Sequence, residues 1–238
     1  MTDLNPSKLG TKSYWDNFYN VEKENFKENP QDTGECWFDD SNAEQKVVNF
    51  LTTLAEDGEI PEIVNFESTE VIDLGTGNGR LLISVREAGF EGQLTGLDYS
   101  APAVEFAESV AAEEQIENIK FQHADFLTSS NWNESQSQWD VVLDKGTLDA
   151  IALSSEKYKG EDEVERTGVE QYAHAVKDMV KSKGILLITS CNFTEPELIN
   201  AITKEGAFEK WRIVKYPSFE FGGAKGQTIC TVAFRKRE

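Results

Sequence analysis

From about residue 41 onward, short apolar runs alternate with segments of helical spacing. The runs at 71–74, 94–97, 119–122, 139–143 and 184–190 read as buried strands. Helices are expected near 80–88, 101–114, 146–153, 167–182 and 195–205. Ahead of the first strand, Val47, Val48, Leu51 and Leu54 form a one-sided stripe, with Ser41 placed to cap its helix. This alternation predicts an α/β fold with a mostly parallel seven-strand sheet and helices on both faces. The end breaks the pattern: 211–216 and 228–234 are strand-like with no helix between them. A C-terminal antiparallel hairpin closing one sheet edge is therefore expected. No repeat or linker splits the chain, so 41–238 reads as one domain and 1–40 as a lead-in over its site. In that lead-in, Ser13 is placed to cap a helix presenting Tyr14, Phe18 and Trp15, and 32–38 reads as a turn. The charged stretch 156–166 reads as a solvated loop.

The first strand carries the sharpest chemistry. Val71, Ile72, Asp73 and Leu74 run into Gly75, Thr76, Gly77, Asn78 and Gly79, and helical spacing resumes at Arg80. Glycines at alternate positions let backbone N–H groups approach a nucleotide-like ligand at a helix start. A dinucleotide fingerprint would place its third glycine at position 80, where this chain has Arg80. Asp73, two residues before the first glycine, would repel a pyrophosphate and attract a cation. S-adenosylmethionine suits such a loop, having no phosphate and carrying a sulfonium and an ammonium.

Two further acids stand at later strand ends. Asp98 lies where a carboxylate can accept from both ribose hydroxyls, a role that nicotinamide cofactors share. Asp125 follows the third strand and is placed to accept an adenine amino group, with Phe126 or Tyr99 on the ring. After the fourth strand come Asp144, Lys145, Gly146, Thr147, Leu148, Asp149 and Ala150. Ligands bind at carboxyl strand ends in such sheets, so Asp144 and Asp149 are candidates to bracket an incoming amine. Lys145 is read as structural or surface.

Composition narrows the partners. The 238 residues carry a formal charge of −20, which repels phosphate backbones and argues against a nucleic-acid substrate. A basic protein partner would be attracted. Cys36, Cys191 and Cys230 have no zinc-like spacing and suggest reduced thiols in the cytoplasm; no metal site is expected. The polar beginning offers no apolar signal core, and no run approaches the length of a membrane span. No membrane association is expected, and a monomer is.

Several motifs occur in one order: Leu9, Gly10, Thr11, Lys12 and Trp15; then Asp32, Thr33, Gly34, Glu35, Trp37 and Phe38; then the Asp73–Gly79 and Asp144–Ala150 runs already quoted. Thr189, Ser190, Cys191 and Asn192 follow, then Phe219, Glu220, Phe221, Gly222 and Gly223. Together they resemble the protein-lysine methyltransferases that modify eukaryotic elongation factor 1-alpha, within the class I, Rossmann-like, S-adenosylmethionine-dependent methyltransferases. The likeness is to the small fungal elongation factor methyltransferase 4 group and covers nearly all of 9–236. It implies Asp73, Gly75, Thr76, Gly77, Gly79, Asp98, Tyr99, Asp125 and Phe126 at the cofactor. It also implies Asp144 and Asp149 at the amine, with Trp37, Phe38 and Trp15 as an aromatic wall for the substrate. The fourth-strand segment lacks the proline pair usual in methyltransferases of adenine or glutamine amides. A small-molecule amine methyltransferase and a non-catalytic acidic binding module stay open as alternative readings.

Overall fold

The computed structural model describes residues 4–128, 138–159, 163–217, 219–221, 224–226 and 229–238. Helices α1 (Lys12–Glu28) and α2 (Ala43–Asp57) lead into β1 (Val71–Leu74), α3 (Arg80–Glu87), β2 (Leu94–Asp98) and α4 (Ala101–Glu113). Then come β3 (Ile119–His123), β4 (Trp139–Lys145), α5 (Thr147–Ala152), β5 (Lys157–Lys159), β6 (Glu165–Thr167) and α6 (Gly168–Met179). The chain continues through β7 (Val180–Ser190), α7 (Glu195–Thr203), β8 (Phe208–Val214), β9 (Phe219–Phe221), β10 (Ala224–Gly226) and β11 (Cys230–Lys236).

Seven strands form one sheet in the order β3-β2-β1-β4-β7-β11-β8. The first five are mutually parallel, and β11 is antiparallel to both of its neighbours. The expected terminal pair is present, but β11 enters the sheet interior and β8 takes the edge. Side-chain character explains the order. Cys230 through Phe234 are buried without a break, whereas β8 carries exposed Glu209 and Lys210, which suit an edge.

Side chains alternate between the two faces, as the strand repeat requires. Ile185 and Leu187 pack with Leu51 and Leu54 of α2 and Leu82 and Val85 of α3. Leu186 and Ile188 pack oppositely, with Tyr172 and Val176 of α6 and Leu198 and Ile202 of α7. Helix α1 lies on α4, where Tyr19 and Phe26 meet Phe106 and Val110.

Four expectations change. Helix α1 starts at Lys12 with Thr11 at the cap position, so Ser13 is inside its first turn. Asn42, in a left-handed conformation, occupies the cap position of α2, because Ser41 ends a short 3-10 turn. Helix α6 stops at Met179 and β7 begins at once, with Thr167 and Glu170 forming a capping box at the helix start. Within 156–166, β5 pairs antiparallel with β6, and Tyr158 packs against the core. Residues 131–137 and 160–162, with Gly222 and Gly223, lie outside the described residues. Among the described residues, no helix is long and apolar enough to cross a membrane.

Candidate active site

The loop after β1 is shaped by what approaches it. Gly75 has φ +65°, and a Cβ there would lie 2.1 Å from Thr147 Oγ1. That hydroxyl donates to the Leu74 carbonyl at 2.6 Å, tying α5 to the end of β1. A Cβ on Gly77 would meet the Tyr19 hydroxyl at 2.5 Å, so this glycine admits α1. Gly79 holds the cap position of α3 in a left-handed conformation, and the Thr76 N–H donates to the Leu97 carbonyl at 3.0 Å.

Over the carboxyl ends of β1, β2 and β4 lies a cavity of about 320 Å³. Its size and apolar walls are those of a small-molecule site. Gly75, Asp98, Tyr99, Asp125 and Phe126 line it, as do Asp149, Trp15, Trp37 and Phe38. Asp73, Thr76, Gly77, Gly79 and Asp144 are not among the lining residues. Gly77 and Gly79 set the backbone of the loop, the Thr76 hydroxyl interacts with Asp73, and Asp73 lies beneath, 3% exposed. Burial pushes the Asp73 carboxyl up to about 7, against the opposing charge of Lys145.

Asp98 accepts from the Gly77 N–H at 3.1 Å and the Ser100 N–H at 2.9 Å. These bonds oppose burial, which still raises its carboxyl to about 6. The carboxylate thus joins the glycine loop to the tip of β2 and borders the cavity. Asp125 accepts from the Leu127 N–H at 2.9 Å and the Thr128 hydroxyl at 2.5 Å, holding a turn while bordering the same space. Phe126 is mostly in the core, edge-on to Tyr172 at 5.8 Å between centroids.

The two fourth-strand acids part company. Asp144 is 1% exposed and accepts from the Thr147 N–H at 2.9 Å and the Leu148 N–H at 3.0 Å. Its carboxyl group caps α5, and the side chain is not among those lining the cavity. The cause is Gly146, whose φ of +88° turns the chain directly into the helix and brings its first amides over Asp144. Burial raises the Asp144 carboxyl to about 8. Asp149, one helical turn on, borders the cavity. It accepts from Ser190 Oγ at 2.5 Å, Cys191 N–H at 2.8 Å and Asn192 N–H at 3.3 Å, at the end of β7. Burial raises its pKa, with these hydrogen bonds acting against the rise.

The lead-in forms the remaining wall. Trp15 donates through Nε1 to the Leu9 carbonyl at 2.7 Å and meets Trp37 edge-to-face at 5.6 Å. Gly10 is needed because a Cβ there would sit 2.3 Å from the Leu153 carbonyl. Cavity residues beyond those expected include Leu9, Gly10, Lys12, Tyr19, Lys145, Tyr158 and Asn192. Most of these fall in or beside the quoted motifs; Tyr158 had no sequence signal. Among the described residues, no group of acidic, histidine or cysteine side chains could hold a metal ion.

This geometry accords with the chain's relatives. Residues 65–230 match the family described as methyltransferase domain. Protein-lysine N-methyltransferase EFM4 of Saccharomyces cerevisiae is 48% identical over 236 residues, covering 99% of this chain and 97% of its own. Human EEF1A lysine methyltransferase 2 is 35% identical, covering 97% and 88%. At the level of fold, magnesium protoporphyrin IX methyltransferase from Synechocystis PCC 6803 superposes with a TM-score of 0.55 at 16% identity, covering 92% and 96% of the two chains. The N-methyltransferase NodS from Bradyrhizobium japonicum WM9 gives 0.55 at 14% identity, covering 84% and 99%. The chain belongs to the class I methyltransferases and, within them, to the protein-lysine N-methyltransferases related to EFM4 and EEF1A lysine methyltransferase 2.

Proposed function

We propose that this protein uses S-adenosylmethionine to methylate a lysine side chain of elongation factor 1-alpha in the cytoplasm. The observation that carries the reading is one cavity bordered by Asp98 on one side and Asp149 on the other, in a chain alignable end to end with lysine methyltransferases. Asp98 suits the ribose hydroxyls, and Asp125, Phe126 and Tyr99 suit the adenine end. Gly75 borders the cavity, and its lack of a Cβ lets Thr147 pack against the strand end beside the cofactor. Asp73 lends negative charge from below. When bound, the cofactor supplies an electrophilic methyl group on a sulfonium.

The chain's own task is to prepare the amine. Free lysine has a pKa of about 10.4, so its proton must leave before the nitrogen can attack. Asp149 attracts the ammonium, yet a carboxylate also raises an amine's pKa. Its work is therefore capture and orientation, while Trp37, Phe38 and Trp15 exclude water and favour the neutral amine. Positioning of this kind supplies much of the rate in a displacement. Asp144 serves indirectly, by fixing the helix that carries Asp149. Residues 1–40 act as the cover and 41–238 as the methyltransferase domain proper, working as a monomer.

Substrate choice rests on charge. A surface at −20 favours a basic protein face over nucleic acid or an anionic membrane. Mass spectrometry of elongation factor 1-alpha from cells lacking this protein tests the substrate directly. One lysine should lose its methylation, and normal occupancy at every lysine would refute the assignment.

A further inference from the structure

Two lysines border the cavity among the described residues, and they differ in commitment. Lys12 is paired with Asp16, 2.9 and 2.7 Å from its two oxygens. Lys145, the last residue of β4, is half-buried; its one hydrogen bond among the described residues goes to the Trp37 carbonyl, at 3.3 Å. An ammonium carries three donors, so Lys145 retains capacity for a stronger acceptor. A second unsatisfied donor, the Trp37 Nε1–H, is buried in the same wall.

Position says which acceptor. Strand tips run in the order β3, β2, β1, β4, so Asp125 and Asp98 sit at one end of the row and Lys145 at the other. The acidic side chains bordering the cavity are Asp98, Asp125, Asp149 and Glu156. A ligand carboxylate is repelled by all four. Lys145, whose charge also acts on the buried Asp73 and whose ammonium lies 6.0 Å from the Phe38 ring centroid, holds no carboxylate by a hydrogen bond or ion pair among the described residues and is the cation left to receive one. The reading of the site as an S-adenosylmethionine pocket, on which this inference rests, brings one such group, the carboxylate of the methionine arm.

We propose that Lys145 receives that carboxylate, and so decides that the pocket takes an amino-acid-bearing nucleoside rather than a plain thioether nucleoside. Through the Trp37 carbonyl, the same side chain links the cofactor arm to the cover. Isothermal calorimetry on the full-length protein tests this with two probes. S-adenosylhomocysteine keeps the amino-acid arm; methylthioadenosine keeps only the adenine and ribose. Lys145→Met should weaken S-adenosylhomocysteine about tenfold, the scale of one charge-assisted hydrogen bond, and leave methylthioadenosine unchanged. Lys145→Arg should recover most of the loss. Equal weakening of both probes would make Lys145 a support for the cover, and no weakening of either would remove it from the site. Both outcomes overturn the inference. If the unaltered protein binds neither probe, the cofactor reading itself fails, and that result is separate from either outcome.

Discussion

Asp144 and Asp149 bracket the start of one short helix, yet they face different worlds. Asp144 turns inward and is satisfied by the first amides of α5. Asp149 turns to the cavity and is steadied by Ser190, Cys191 and Asn192 at the tip of β7. The inner acid builds the platform, and the outer acid stands on it. A motif with two carboxylates therefore contains one group turned into the fold and one that borders the cavity, and spacing alone does not assign them.

The largest effect expected is on the outer acid. Asp149→Asn should cut turnover roughly a hundredfold, the scale of a misplaced reacting group, with cofactor affinity nearly unchanged. Asp144→Asn keeps an acceptor for the α5 amides and should cost far less turnover. Single-turnover rates measured beside calorimetry separate the two. Equal losses at unchanged melting temperature would return Asp144 to the amine.

On the cofactor side, Asp98→Ala should weaken S-adenosylhomocysteine at least tenfold, since charge-assisted hydrogen bonds are worth about 1.5–3 kcal/mol each. Unchanged affinity would move the ribose elsewhere. Gly10→Ala should have a smaller effect, raising KM for the protein substrate several-fold by lifting the cover from Leu153. Steady-state kinetics would show it, and a wild-type KM would leave the cover without a role in substrate binding.

The smallest effect is a pH signature of the ligand-free protein. Asp144 is raised from 3.8 to about 8, so its contribution is fully present below the lower value and is lost as pH rises through the upper. Asp98 is raised to about 6, and its contribution is lost earlier. Asp144→Asn should therefore flatten the fall in melting temperature up to about pH 8, whereas Asp98→Asn should act chiefly below about pH 6. Identical profiles for the two variants would mean that burial does not distinguish these carboxyls.

Much of the sheet was legible because its central parallel strands are buried on both faces and read as short, mostly apolar runs, whereas the edge strand β3 is only partly buried. Val71–Leu74 and Leu94–Asp98 are examples, and the glycine loop between them needs backbone conformations visible as glycine itself. The insertion of β11 between β7 and β8 was not legible, since it depends on which of two apolar strands tolerates an edge. Tyr158 escaped because β5 is short and its neighbours are charged, so its local pattern is that of a solvated loop.

The sequence by itself determined the strand–helix alternation, the acids near successive strand tips and the family motifs. Each of these is written in residues close together along the chain. Only the tertiary structure decided which acids reach the cavity, that Lys145 borders it, and which lead-in residues line it. Those outcomes depend on side-chain direction at helix starts and on contacts between distant segments, such as Gly10 against Leu153 and Tyr19 against Gly77. Local pattern specifies an element and its buried face, but which groups meet across a cavity follows from packing, where close approach and desolvation act between residues far apart in sequence.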